Sequence, residues 1–184
     1  VETNKDLTEF LKKKSIPEYQ KVFAKGYEEL LSGNYRGGVA KFVDLIGTED
    51  GRIWGYIGSL EYAIHTENIT SLKGPLLGLK EAAEHNPSSV PSWVIPYYSA
   101  WYAYYTFDFQ QMAKILEEQR SRKEIDAVTE VAIKLRLFIN KNNLAAAEES
   151  FKNLSQPLAY SQSIITLSSD IIDIRRGPEE AARF

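Results

Sequence analysis

Gly33-Asn34-Tyr35-Arg36-Gly37-Gly38-Val39-Ala40-Lys41-Phe42 carries the pattern that decides the fold. A turn residue, Gly33, precedes an apolar residue, Tyr35; the small Gly38 follows three positions on, and the bulky Phe42 four after that. Asn142, Leu144, Ala147 and Phe151 repeat the pattern. So do Asp108, Phe109, Met112 and Leu116, with Met112 larger than the pattern wants. A degenerate copy has Pro75 and Leu79 in its last two places. The bulky positions Phe42, Leu79, Leu116 and Phe151 are 37, 37 and 35 residues apart. A further copy begins at Gly177-Pro178-Glu179-Glu180-Ala181-Ala182 and ends before its bulky position. A fixed period of this length is the signature of stacked helical hairpins.

Helical spacing is plentiful and strand signals are scarce. Val131, Leu135 and Phe138 recur at four and three residues, and Leu144, Ala147, Phe151 and Leu154 do the same. Asp50-Gly51 lies between helical patterns, not between two alternating apolar runs. The spacing predicts helices over 6–13, 17–32, 36–47, 52–66, 71–85, 92–106, 109–120, 125–140, 144–154, 159–174 and 178–184. Pro96 falls early in its helix, where a missing N–H does little harm, and Pro75 must likewise sit in a first turn.

The helices before each turn fit the same scheme. Gly26 stands seven residues before Gly33, where the first helix of a pair wants a small residue. Trp54, Ile57 and Gly58 reproduce the opening of the tetratricopeptide pattern, and Ala82 with Asn86-Pro87 its ending. The segment from Trp54 to Pro87 is longer than that pattern, which places an insertion around His65–Gly74. Over 19–184 the chain therefore resembles tetratricopeptide repeats. The resemblance implies an all-α, right-handed α-solenoid of four to five helix–turn–helix repeats, one domain over 1–184 with its last repeat incomplete. In such repeats small residues let paired helices approach and bulky ones fill the seam, so that each pair buries its face on the next.

Composition sets the outer bounds. The 184 residues hold 43% hydrophobic and 26% charged side chains, a globular balance that can bury a core. A net charge of −3 argues against sequence-independent nucleic-acid binding. The absence of cysteine removes disulfides, thiolate chemistry and cysteine-ligated zinc, and fits a reducing, cytoplasmic setting. No stretch approaches the roughly 20 apolar residues of a membrane helix. The chain opens on Val1-Glu2-Thr3 without an initiator Met, as a piece or processed form of a longer chain would.

No catalytic or cofactor-binding set stands out, and the expectation is a protein that is not an enzyme, with no cofactor and no metal. His65 and His85 have no ligand-spaced partner, and no phosphate-binding loop, dinucleotide fingerprint or calcium loop is present. The pairs Glu117-Glu118 and Glu148-Glu149 read as solvated charge on polar helix faces. Asn68-Ile69-Thr70 and Asn153-Leu154-Ser155 are glycosylation sequons in form only. The basic runs Lys12-Lys13-Lys14 and Arg120-Ser121-Arg122-Lys123 read as helix ends, where cations meet the negative pole of the dipole; acidic-partner or lipid contact is the alternative.

Residues 96–109 are the strongest functional clue. Eight of these fourteen are aromatic, out of 22 in the chain, more than one helical seam takes up. Tyr97, Trp101 and Tyr104 share one face, and Tyr98, Tyr102 and Tyr105 the next. In tetratricopeptide-like repeats the first helix of each pair lines the concave surface. Repeat alignment would put Tyr97, Trp101 and Tyr104 there, with Phe23 and Tyr27 from the first repeat and Arg136 from the fourth. These six form the candidate surface for a protein or peptide partner; the alternative is that the aromatic run is core. Phe23, Tyr27, Gly55 and Ser59 stand where chaperone-tail clamps carry Lys and Asn, so that use is not expected.

The stretch Ile125–Leu135, the stretch Asn143–Lys152, Thr166-Leu167 and Arg176-Gly177-Pro178-Glu179-Glu180-Ala181 together resemble the epsilon subunit of coatomer, over about a third of the chain. That resemblance implies a vesicle-coat subunit in intracellular transport, on the cytosolic face of Golgi membranes, with another coat subunit as partner. A general adaptor or scaffold, and a helical arm of a larger enzyme or complex, are the other roles compatible with the repeats. An incomplete last repeat should leave Ile164, Ile165, Leu167, Ile171, Ile172 and Ile174 partly uncovered. That would favour a continuing chain, a hetero-oligomer or self-association at the C-terminal end.

Overall fold

The structure, a computed structural model, describes residues 16–122, 127–152, 162–177 and 179. Nine α-helices and no strand are found among them. They are α1 Glu18–Leu31, α2 Tyr35–Ile46, α3 Arg52–His65, α4 Lys73–His85, α5 Val94–Thr106, α6 Phe109–Arg122, α7 Ala127–Asn140, α8 Leu144–Lys152 and α9 Gln162–Arg176. Short 3-10 helices, Ile69–Ser71 and Pro87–Ser89, flank α4. Each expected helix that falls on described residues is present, with ends shifted by no more than a few residues. Helix 6–13, all of 178–184 but residue 179, the start of 125–140, the end of 144–154 and the start of 159–174 lie outside the described residues. Pro75 and Pro96 each take the third place of their helix, in the first turn.

One joint recurs along the chain. Gly33, Glu67, Phe107 and Asn142 follow α1, α3, α5 and α7 and adopt left-handed φ values of 85°, 53°, 57° and 53°. The next residue then donates its backbone N–H five residues back: Asn34 to Glu29 at 2.9 Å, Asn68 to Ala63 at 2.8 Å, Asp108 to Ala103 at 3.0 Å and Asn143 to Phe138 at 2.8 Å. This is the Schellman closure, which satisfies carbonyls that the helix end leaves free. In three joints the same Asn or Asp side chain caps the following helix. Asn34, Asp108 and Asn143 accept from the backbone N–H of Gly37, Gln111 and Ala146. Helix end and helix start are thus fixed by two adjacent residues.

The second joint is longer than the others, where the insertion is expected. Glu67 and Asn68 close the turn as in the other joints, but seven residues, 66–72, separate α3 from α4 against two or three at the other joints, and the 3-10 helix Ile69–Ser71 lies among them. Counting from the joint, Leu72 and Leu76 take the places of Gly38 and Phe42, and both are buried. The connection from α4 to α5, residues 86–93 with the 3-10 helix Pro87–Ser89, is long as well.

The described residues form two compact units, divided between Tyr98 and Ser99 inside α5. In the first unit the Phe42 ring of α2 is wedged between Gly26 of α1 and Gly58 of α3. A Cβ on Gly26 would stand 2.5 Å from that ring, and one on Gly58 would overlap it. A Cβ on Gly38 would press on the Gly26 carbonyl at 2.8 Å, and one on Gly55 on the Phe42 carbonyl at 2.6 Å. The glycines are what allow these backbones to meet, and Phe42, fully buried, fills the seam they leave.

The second unit has its own core, built from Ala100 and Ala103 of α5, Met112 and Ile115 of α6, and Ile133 and Leu137 of α7. Helix α9 packs on α7 and α8. Its Ile164, Leu167, Ile171 and Ile172 are buried, Ile165 is half-buried, and Ile174 alone of the six is exposed, at 63%. The expected uncovered face is therefore largely absent: the helix turns its apolar stripe onto the preceding pair. Glu148 also departs from expectation. It is a buried acid that pairs with Arg175 and Arg176 of α9, while Glu149 is exposed. The run at Arg120–Arg122 ends α6, as expected, and its side chains, like Lys12–Lys14, lie outside the described residues.

Candidate functional site

Helix α3 reads Arg52-Ile-Trp-Gly-Tyr-Ile-Gly-Ser-Leu-Glu61-Tyr-Ala-Ile-His65, with a single acid among apolar and small residues. That acid is drawn inward. Glu61 Oε1 accepts the Tyr98 hydroxyl at 2.6 Å, and the Tyr27 hydroxyl lies close enough to act on the same carboxylate's charge. Tyr27 stands on α1 and Tyr98 on α5, so groups from three helices of the first unit meet at one half-buried carboxylate. Burial pushes the Glu61 pKa up, and the two phenols and the nearby His65 pull it back only in part. The Tyr98 and Tyr27 hydroxyls are also pushed up, first by burial and then by the charge of Glu61.

Aromatic rings surround this centre. Phe23 stacks on Tyr27 with ring centres 6.2 Å apart and meets Trp54 edge-on at 5.2 Å. Tyr97 meets Tyr98 edge-on at 5.0 Å and Trp93 at 6.1 Å. Phe23, Tyr27 and Tyr97 are each half-buried, and Trp93 is exposed.

The other three expected site residues meet in the second unit. Trp101 lies edge-on to Tyr104 at 5.3 Å and stacks on Tyr105 at 5.8 Å. The Arg136 guanidinium of α7 sits over the Tyr104 ring at 4.2 Å and over the Phe107 ring at 4.5 Å. Trp101 and Tyr104 are only 6% and 5% exposed, and Arg136 is half-buried. Their burial sets Trp101 and Tyr104 in the core rather than on an open surface. The face division expected for α5 is not followed either: Tyr98 is buried, while Tyr97, Tyr102 and Tyr105 are half-buried. Two donors in this cluster, Trp101 Nε1 and Arg136 Nε, are buried with no hydrogen-bond acceptor.

Three residues that spacing did not single out matter here. Glu61 was marked by being the lone acid of an apolar helix. Phe107 carried no signal, because its left-handed backbone is a property of the joint. Glu148 is indistinguishable from Glu149 until α9 brings its two arginines. Among the described residues, no three His, Cys, Asp or Glu side chains gather as a metal set, and no helix is long and apolar enough to cross a membrane. Comparison with known proteins adds no relative: no family model matches the chain, and no curated protein and no solved structure matches it at a significant level.

Proposed function

We propose that this chain is a helical-repeat scaffold of the tetratricopeptide-like kind, which binds a protein or peptide partner through side chains of the first helix of each pair. The observation that carries this is the recurring joint. Left-handed residue and following Asn or Asp appear at 33–34, 67–68, 107–108 and 142–143, and each joins the helices of one pair by the same hydrogen bonds. A chain that repeats one hairpin is built for extended surface rather than for a single enclosed pocket. The first helices of these pairs, α1, α3, α5 and α7, also hold both clusters described above. Half-buried tyrosines and a stacked arginine are the side chains that concentrate binding energy at protein interfaces.

Capture of partners by the tagged chain tests this. Tyr97→Ala, at a half-buried position, should keep the thermal midpoint within a few degrees and reduce capture of a specific partner. Trp101→Ala serves as the contrast: deletion of a buried Trp costs about 3–5 kcal/mol, so lost capture would there follow lost folding. The proposal fails if no protein is retained above a scrambled-sequence control. It fails equally if Tyr97→Ala and the matching changes at Phe23 and Arg136 leave capture untouched.

A further inference from the structure

We infer that Glu61 seats a lysine side chain of the protein partner, whose ε-ammonium meets the free carboxylate oxygen and the Tyr27 hydroxyl; the inference rests on the scaffold role proposed above and names the chemistry of its partner. Three observations meet here. The first is a charge without a counter-charge. Glu148, the buried acid of α8, is met by Arg175 and Arg176. Glu61 is half-buried and the single acid of α3, and it forms no ion pair with any described Lys, Arg or His. The exposed His65 stands one turn on and acts on the charge from a distance. The group that holds the carboxylate is the Tyr98 hydroxyl, a neutral donor. A carboxylate drawn from water without a cation carries a cost that a partner's cation offsets.

The second is access. Tyr98 occupies Oε1. Oε2 accepts no well-formed hydrogen bond from the described residues and the nearby Tyr27 hydroxyl makes none, yet neither atom is sealed from solvent. A ligand atom can therefore reach both. The third is the shape of what remains. A guanidinium fork is matched by two parallel acceptors, and with Oε1 taken the carboxylate offers one. An ammonium is a compact point charge, and its rotatable donors suit Oε2 and the Tyr27 oxygen together. Phe23, stacked on Tyr27 at 6.2 Å, and Tyr97, edge-on to Tyr98 at 5.0 Å, add half-buried ring surface for the aliphatic stem.

The test follows the Glu61 carboxyl carbon and the Tyr27 ring of the isotope-labelled chain by NMR, assigned with E61Q and Y27F. Three peptides are the probes, at matched ionic strength. They are N-acetyl-alanyl-lysyl-alanine amide, its arginyl counterpart, and its norleucyl counterpart, which keeps the stem without the charge. Sodium chloride is the control, and methylammonium chloride stands for a free amine. The lysyl probe should give a saturable shift, about threefold or more tighter than the arginyl one, and the norleucyl probe none. E61Q keeps an acceptor for Tyr98 and should melt as the parent does while losing the shift. Y27F should weaken it about threefold. The inference is overturned if E61Q binds the lysyl probe as the parent does, if the arginyl or norleucyl probe binds as tightly, or if sodium chloride reproduces the shift. Methylammonium bound as tightly as the lysyl probe assigns a free amine in place of a partner's side chain, and overturns it too. Partner capture separates this from the scaffold role: no capture by the parent removes the scaffold, whereas capture by E61Q equal to the parent's removes the lysine seat alone.

Discussion

The Tyr98 hydroxyl donates to Glu61 at 2.6 Å across 37 residues of sequence, and the Tyr27 hydroxyl lies near the same carboxylate. A carboxylate so placed is a stability term with a definite sign. Burial raises its folded pKa above the ordinary 4.5. Between 4.5 and that raised value the folded chain binds more protons than the unfolded one, so stability falls as pH rises through this window. The contribution is fully present below 4.5 and lost above the folded value.

Glu61→Gln should therefore flatten the slope of stability against pH between mildly acidic and neutral conditions, without lowering the midpoint at pH 7. The amide keeps an acceptor for the Tyr98 hydroxyl. Glu61→Ala leaves the buried Tyr98 hydroxyl without its acceptor and should cost about 1–3 kcal/mol. Thermal melts of the three proteins across pH decide it. An unchanged slope in Glu61→Gln would show that the pH dependence arises elsewhere.

Gly58 and Phe42 make a second coupled pair. A methyl group at Gly58 would enter the space of the Phe42 ring. Gly58→Ala is expected to cost about 1–3 kcal/mol, the usual penalty for overfilling a packed seam. Phe42→Leu removes the ring edge that the methyl meets, so the double variant should lose less than the sum of the two single ones. Additive losses in denaturant titrations would mean that the helices part rather than that the side chains collide.

The helices were legible because their apolar residues recur with helical spacing and because Gly33, Asp108 and Asn142 mark three of the joints by residue type. The joint at Glu67 was missed for the converse reason. Glutamate is not a residue that announces left-handed backbone, and Leu72 stands where the pattern wants something small. The burial of Trp101 and Tyr104 was hidden because residues 94–106 are apolar on nearly every side, which leaves spacing nothing with which to choose a face. Glu61 could be noticed as an oddity in α3, but its two phenols come from positions 34 and 37 residues away, and only packing brings them together.

The same joint yields a stability test. Glu67 is exposed and sits at φ 53°, a conformation that costs a side-chain-bearing residue about 1–2 kcal/mol. Glycine relieves this but loses about 0.5–1 kcal/mol to its freer unfolded chain. Glu67→Gly should therefore gain up to about 1 kcal/mol, whereas Gly33→Ala, at φ 85°, should lose about as much. If Glu67→Gly is destabilising, the turn after α3 is held by contacts of the glutamate side chain.

Glu148 sets an asymmetric ion-pair cluster in the second unit. Its side chain is 4% exposed, while those of Arg175 and Arg176 are 37% and 45% exposed. Removing the arginines takes two cations from a buried carboxylate, a change that costs up to about 3–5 kcal/mol. Removing the carboxylate charge strands nothing, since both guanidinium groups already reach solvent and can hydrate. The double variant Arg175→Gln/Arg176→Gln should thus be destabilised well beyond Glu148→Gln, by equilibrium unfolding at neutral pH. Equal losses, or a larger loss in Glu148→Gln, would mean that the arginines rather than the acid carry the burial penalty. In that case α9 would be fastened by its apolar stripe of Ile164, Leu167, Ile171 and Ile172, with the charges contributing little.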